Sequence, residues 1–367
     1  VTVRLRVVLD RVAGTNDPDL TIASAELVSA LVHTAPRGCR VAGIDGRETP
    51  NAVPPEGLVD VWRAPVGRRE LATAWRMGVS LGGSGGMIHS PSLMAPLVRH
   101  DRTHDHDQTV VTVWSLEAWT HPQRLDRADA AWQRAMLKRA VRFADAVVVP
   151  THAMAAELAE IAPLGGRIRV IAGAPRTGFR VPADAPGRAR TLGLPERYIA
   201  VAGSITDPEG LIPALRAASD LDVDVVVAGG GNDDPARVGE LADANGLSGH
   251  RVRTPSLIDA SDRAAVLHGA LAVVAASEAP VFPWRALEAL AVGAPLIAAK
   301  TAQNEELVGD GAYLTARGDS DDVAEALRRV IEDEDFAARL RVLSEDRSRA
   351  FSWRDAAERV WQLHAEL

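Results

Sequence analysis

The stretch Leu271-Ala272-Val273-Val274-Ala275-Ala276, a helical run carrying Glu288, and Pro295-Leu296-Ile297-Ala298-Ala299 decide the fold class. Short runs rich in Val and Ile on either side of an amphipathic segment are the pattern of a strand-helix-strand crossover in a parallel sheet. Working outward, the same texture recurs at Tyr198–Ala202, Asp224–Ala228 and Arg251–Thr254, with helical stretches at Asp262–His268 and Asp321–Glu332. It also recurs earlier, at Arg4–Leu9, Thr109–Val113, Ala146–Val149 and Arg167–Ile171. Between the two series, Ala162 to Pro195 crowds Pro163, Gly165, Gly166, Pro175, Gly178, Pro182, Pro186 and Gly187 around one short strand, which marks a domain junction. The expectation is an α/β chain of two doubly wound domains in tandem. At the end, Trp353, Ala357, Val360, Trp361 and His364 recur at helical spacing, so Ser352–Leu367 is expected to be an amphipathic helix packed on one of them.

Length and composition agree. A chain of 367 residues exceeds what one core usually supports, and 47% hydrophobic with 25% charged residues is ordinary globular composition. A net charge of −8 gives the whole chain no electrostatic footprint for nucleic acid. The single cysteine, Cys39, has no partner for a disulfide or a thiolate metal site, which suits a reducing compartment. The first ten residues mix Arg with aliphatics and lack the apolar core of a signal peptide, and no apolar run spans a bilayer. The expected location is cytoplasmic, with peripheral contact at the inner membrane face left open. That contact is suggested by Trp62, Arg63, Arg68, Arg69, Trp75 and Arg76, although a solvated helix with Trp75 turned inward accounts for the same residues.

The segments Ala286-Leu287-Glu288-Ala289-Leu290-Ala291-Val292-Gly293-Ala294-Pro295-Leu296-Ile297-Ala298, Glu305-Glu306-Leu307-Val308-Gly309-Asp310-Gly311-Ala312 and Phe351-Ser352-Trp353, taken together, resemble family 4 of the retaining glycosyltransferases. Upstream, Ile88-His89-Ser90-Pro91-Ser92, Ala146-Val147-Val148-Val149-Pro150-Thr151 and Gly193-Leu194-Pro195-Glu196-Arg197-Tyr198 extend the likeness over nearly the whole chain. The resemblance implies a GT-B fold, with two facing Rossmann-like domains, a cleft between them and a last helix crossing back to the first. The corresponding boundaries are 1–175 for the N-terminal domain on the acceptor side, 176–350 for the domain on the nucleotide-sugar side and 351–367 for the returning helix.

Such a site must stabilise the negative charge that grows on a departing diphosphate, which cations and helix N-termini do without a metal or other cofactor. The resemblance implies an Arg and a Lys for the phosphates, a pair of Glu residues separated by seven positions for sugar and ribose, and a His near the reacting centre. Here the matching positions depart. In Gly203-Ser204-Ile205-Thr206-Asp207-Pro208-Glu209-Gly210, Ser204 stands for the Arg and Glu209 for the Lys. Pro280 stands for the first Glu, and Trp114, followed by Ser115, stands for the His. Proline has no side-chain hydrogen bond, and an indole donates but accepts no proton. Glu288 matches the second Glu, read here at the start of its helix, where either a ribose hydroxyl or simple helix-start stabilisation would explain it. Glu278 is the candidate substitute for the lost first Glu, and Gly203, Ser204, Arg285 and His89 complete the candidate donor-binding set. The loop Asp10–Thr21 holds one Gly14 among Asp17, Pro18 and Asp19, which disfavours an anion, and Gly229-Gly230-Gly231 reads as a turn. The run His100, Asp101, His104, Asp105, His106 and Asp107 invites a metal, but without a companion ligand a hydrated loop is the better reading, and no metal is expected.

The function expected is that of a glycosyltransferase-family protein of a cell-envelope or surface-glycan pathway, with an eroded donor site and weak or absent transferase activity. Its partners would be an active glycosyltransferase subunit or a second copy of itself, and a glycan or lipid-linked acceptor. The alternative is an active retaining hexosyltransferase that takes a nucleotide-sugar donor with replacement residues in the cleft, Arg285 and His89 being the nearest. Fold alone does not choose between them.

Overall fold

The structure, a computed structural model, describes residues 3–9, 18–47, 56–101, 103–104, 106–229, 233–257 and 259–367. It divides into two compact units. Unit 1 comprises Val1–Thr177, Pro280–Phe282 and Phe351–Leu367, and unit 2 comprises Gly178–Ala279 and Pro283–Ala350.

Unit 1 contains β1 (Val3–Val8), α1 (Pro18–His33), β2 (Cys39–Asp45), β3 (Val61–Arg63), α2 (Arg68–Met77), β4 (Met87–Ser90), β5 (Gln108–Thr112), α3 (Glu117–Thr120), α4 (Arg127–Phe143), β6 (Ala146–Val149), α5 (His152–Ile161) and β7 (Ile168–Val170). Unit 2 contains α6 (Ala185–Thr191), β8 (Tyr198–Val201), α7 (Pro208–Ser219), β9 (Asp224–Val227), α8 (Pro235–Ala244), β10 (Val252–Arg253), α9 (Ala260–Gly269), β11 (Val273–Ala275), α10 (Trp284–Ala291), β12 (Leu296–Ala299), α11 (Ala302–Val308), β13 (Ala312–Thr315), α12 (Ser320–Glu332) and α13 (Glu334–Ser348). The last helix, α14 (Trp353–Glu366), belongs to unit 1.

Among the described residues, the sheets run β3-β2-β1-β4-β5-β6-β7 and β10-β9-β8-β11-β12-β13, with every pairing parallel. Both are doubly wound: strand order reverses between β1 and β4 in one and between β8 and β11 in the other, and ligands of such sheets bind outside the carboxyl ends at that reversal. Strands covered on both faces are apolar throughout rather than alternating, as β6 and β8 show, each with all four residues buried. The strand pattern in the sequence misses β2, β3, β4 and β13. β2 is interrupted by Arg40 and by Gly43, where a side chain would stand 2.8 Å from Leu9 Cδ1, and β3 is a three-residue edge strand.

Helix α14 starts at Ser352, whose hydroxyl accepts from Asp355 N at 3.0 Å, and its buried face is the predicted one: Trp353, Ala357, Val360, Trp361 and His364. It packs with α1, Trp361 Nε1 donating to Leu31 O at 3.2 Å. On the opposite sheet face Trp75 of α2 is fully buried among Val8, Ile44, Leu71 and Ile88. No helix of the described residues is long and apolar enough to cross a membrane.

Candidate functional site

In unit 2 the loops after β8, β9 and β11 meet at the strand-order reversal. A Cβ added to Gly229 would lie 1.9 Å from the carbonyl oxygen of Gly203, so the two loops touch backbone to backbone and position 229 admits no side chain. Gly230 and Gly231 lie outside the described residues. Ser204 Oγ donates to Asp233 Oδ1 at 2.8 Å, and Ile205 N donates to the same oxygen at 3.0 Å. Ser277 Oγ donates to Asp207 Oδ2, joining the loop after β11 to the one after β8. Glu209 is exposed in the first turn of α7, where an acid suits the helix dipole. From Gly203 to Gly210 there is no Lys or Arg. The edge is therefore built of carboxylates and hydroxyls, linked by the Ser204–Asp233 and Ser277–Asp207 hydrogen bonds.

Glu288 does not start its helix as the sequence reading has it. It is the fifth residue of the eight-residue α10 and is 4% exposed. Two guanidinium groups hold its carboxylate. Arg263 of α9 donates from Nε to Oε2 and from Nη2 to Oε1, both at 2.8 Å, while Arg285 Nη1 also donates to Oε2. Three of the roughly four acceptor directions of the carboxylate are thus taken. Arg285, 7% exposed, also donates from Nε to Gly229 O at 2.9 Å, which ties α10 to the loop after β9. Arg263 stands over the Phe179 ring at 5.8 Å. Glu278 is half-buried, near Gly318, where a Cβ would lie 3.5 Å from Glu278 Oε1.

In unit 1, His89 pairs with Val7 across the β1/β4 reversal and is completely buried. His364 of α14 donates from Nδ1 to Gln108 Oε1 at 3.0 Å, which leaves its Nε2 to accept from His89 Nδ1 at 3.4 Å. His89 Nε2 has no partner among the described residues. Burial, and secondarily the neighbouring His364, holds His89 well below the usual histidine range, and burial brings His364 down to about 4. Both rings are neutral near pH 7, so His89 supplies no cation here.

Trp114 is also in unit 1, with Nε1 donating to Pro91 O at 2.8 Å. Pro280 belongs to the same unit, and Leu116 N donates to Pro280 O at 3.0 Å. The segments that hold the positions assigned to the His and the first Glu are therefore joined through the main chain, Leu116 to Pro280 and Phe282 to Trp114. Of the His/Asp run, His100 is bonded to Asp145 at 2.9 Å and His104 to Asp101 at 2.8 Å, and Asp105 lies outside the described residues. The hydrogen bond to Asp145 raises the His100 pKa. No group of three metal-ligating side chains forms among the described residues. Asp10 to Asp17 of the first loop, with Gly14, also lie outside them.

Partners distant in sequence escaped the sequence reading. Nothing local in Arg263, Asp233 or Gln108 marks them, since each acts through a residue from another element. The helical spacing of His364 marks a packing face and carries no sign of its polar contact.

Residues 190–345 match the family described as glycosyl transferases group 1. The chain is similar to a D-inositol 3-phosphate glycosyltransferase of a Nocardioides species, 28% identical over 250 residues, which cover 62% of this chain and 55% of that protein. The match thus spans little more than half the length of that relative. Among solved structures, sucrose-phosphate synthase from Thermosynechococcus elongatus superposes with a TM-score of 0.73 at 20% identity, covering 99% of this chain and 98% of that one. Anabaena HepE, in complex with UDP and glucose, superposes with a TM-score of 0.69 at 18% identity over 100% of both chains. The fold is GT-B, and the family match falls within the second unit apart from Pro280–Phe282.

Proposed function

We propose that this chain is a glycosyltransferase-family protein whose donor end no longer grips a nucleotide-sugar diphosphate. In this reading it serves a cell-envelope or surface-glycan pathway as the partner of an active subunit or of a second copy, or as a binder of glycan. The ancestry implied by the resemblance is that of a retaining, family 4 enzyme, and the likeness to HepE, solved with UDP and glucose, fits a nucleotide-sugar origin.

The observation that carries the reading is the edge after β8. Ser204, at the expected Arg position, is bonded to Asp233, and Glu209 replaces the Lys. A cation 4 Å from a phosphate supplies about 4 kcal/mol at an effective dielectric near 20, and both such contributions are missing. Glu209 is exposed, so its own repulsion is screened to about 1 kcal/mol or less, and the lost cations are the larger effect. Long-range charge points the same way. Unit 2 has 18 Lys and Arg against 28 Asp and Glu, a net of −10, while unit 1 has 23 against 21, a net of +2.

The alternative, an active hexosyltransferase, requires Arg285 to leave Glu288 and Gly229 O for a phosphate. Calorimetric titration with uridine- and guanosine-diphosphate sugars separates the two. Binding weaker than about 1 mM is expected for the natural chain, and Ser204→Arg with Glu209→Lys should tighten it by about tenfold or more. Micromolar binding, or sugar transfer by the purified chain alone, overturns the reading.

A peripheral contact of unit 1 with an anionic lipid surface belongs to the same proposal. Met77 and Val79 are 67% and 48% exposed on either side of Gly78, and Gly78 lies against the Arg139 guanidinium. Arg69 and Arg76 of α2 and Lys138 and Arg142 of α4 are exposed nearby. Exposed apolar side chains ringed by cations suit such a surface.

A further inference from the structure

Residues Pro280–Phe282 are flanked in the chain by stretches of unit 2, yet they belong to unit 1. They lie antiparallel to Trp114–Leu116, with Ser115 opposite Val281. Leu116 N donates to Pro280 O and Phe282 N donates to Trp114 O, both at 3.0 Å, the two bonds that flank a non-hydrogen-bonded pair in an antiparallel ladder. The Phe282 side chain, 1% exposed, meets the Trp114 ring edge to face at 5.4 Å, and Trp114 meets Trp353 of α14 edge to face at 6.4 Å. Both indoles are anchored by the main chain, Trp114 to Pro91 O at 2.8 Å and Trp353 to Pro175 O at 3.0 Å. The aromatic wall is held in place by partners other than the strip itself.

We propose that unit 1 carries a binding site for an extended, uncharged peptide of the pattern Pro-x-Phe, and that the chain's own Pro280–Phe282 occupies it in cis. The features are those of strand addition, where main-chain bonds supply affinity and a side-chain pocket supplies selectivity. The pocket is aromatic and the strip carries no charge, so burying it leaves no ion uncompensated. Prolines stiffen the segment: Pro280 has a fixed φ, and Pro283 disfavours the helical region for Phe282, so less chain entropy is lost on pairing. Pro280 lacks an N–H and begins the strip, which limits it to this short pairing.

The consequence rests on the reading given under Proposed function. Position 114, where the resemblance places a proton-handling His, has its main-chain oxygen bonded to Phe282 N and its ring in edge-to-face contact with the Phe282 ring. Any sugar that used this position would have to displace the strip. The peptide-binding site itself stands on geometry alone.

Hydrogen exchange at single-residue resolution on the unaltered chain tests the site directly. The amides of Leu116 and Phe282 should be protected by about a hundredfold or more over free amides. Phe282→Ala should raise exchange at Leu116 by about tenfold, the loss of an edge-to-face pair and its buried area, while β5 and β6 stay protected. An acetylated Pro-Val-Phe-Pro peptide in excess should restore protection at Leu116 in that variant. Free exchange at Leu116 and Phe282 in the unaltered chain overturns the proposal, as does indifference of Leu116 to Phe282→Ala. If that variant fails to fold, Phe282→Leu with the same readout takes its place. Either failure leaves the diphosphate reading standing, and tight nucleotide-sugar binding with Leu116 still protected overturns that reading without touching this one.

Discussion

In the proposed reading, the two units depart from the family pattern by different physical routes. In unit 2 the edge after β8 carries Ser204 and Glu209 where the resemblance implies cations, with Asp207 and Asp233 bonded beside them, and Arg263 and the buried Arg285 are engaged by Glu288. In unit 1 the matching position changes by volume, with Trp114 and Phe282 packed together and the main chain of Pro280 bonded to that of Leu116. A change of charge at an exposed edge can be reversed by substituting side chains, because the backbone there is already formed. A packed aromatic pair cannot be reversed so simply, since removing a ring leaves a cavity that the surroundings fill only in part. Nucleotide binding should therefore return to unit 2 more readily than proton handling to unit 1.

The largest effect that would sharpen this contrast is at Glu288. Glu288→Ala leaves two guanidinium groups buried without their carboxylate and should cost unit 2 about 4 kcal/mol in chemical denaturation. Replacing Arg263, Glu288 and Arg285 together by apolar residues of similar volume should come out near neutral. If the single substitution is silent, the triad is not what holds this part of unit 2, and Glu288 is free for a ligand.

Next comes the buried histidine pair of unit 1. His364 titrates near 6.5 in the unfolded chain and at about 4 when folded. Between those values the unfolded chain binds more protons, so stability rises with pH there. The contribution, about 3 kcal/mol, is fully present above pH 6.5 and is lost as pH falls toward 4. His100 works in the opposite sense. Its pKa is raised by Asp145, so its contribution is present below 6.5 and lost as pH rises through its folded value. His89, which burial also lowers, acts in the same sense as His364, so the measured slope is what remains of these two after the opposing His100 slope, and His364→Gln should flatten the acid limb without abolishing it. An unchanged acid limb in that variant breaks the assignment.

The smallest expected effect tests the charge difference between the units. Vesicles containing anionic lipid should bind the chain through unit 1, with Arg69→Gln and Arg76→Gln each weakening the partition about fivefold and added salt weakening it further. Binding that ignores both substitutions and salt would detach the basic surface of α2 from any such contact.

Much of the architecture was legible before the coordinates. The continuous apolar runs at β6, β8 and β12 announce parallel strands covered on both faces, and the spacing of Trp353, Ala357, Val360, Trp361 and His364 marks the buried face of α14. Interrupted or very short strands such as β2 and β3 were not legible, because a few residues at a sheet edge carry too little pattern. The candidate site was legible only as a set of positions. Sequence placed Glu288 at a helix start, whereas the helix begins at Trp284 and turns its carboxylate onto Arg263.

The sequence by itself determined the doubly wound class, the apolar faces of its helices and the absence of Lys and Arg from Gly203 to Gly210, because periodicity and residue type are local properties. Only the tertiary structure decided that Glu288 is neutralised by Arg263 and Arg285, that His89 faces His364, and that Pro280–Phe282 is paired with Trp114–Leu116. Those outcomes depend on which groups far apart in the chain are brought within hydrogen-bonding distance. That proximity arises when the sheets close and their helices pack, and no single segment encodes it.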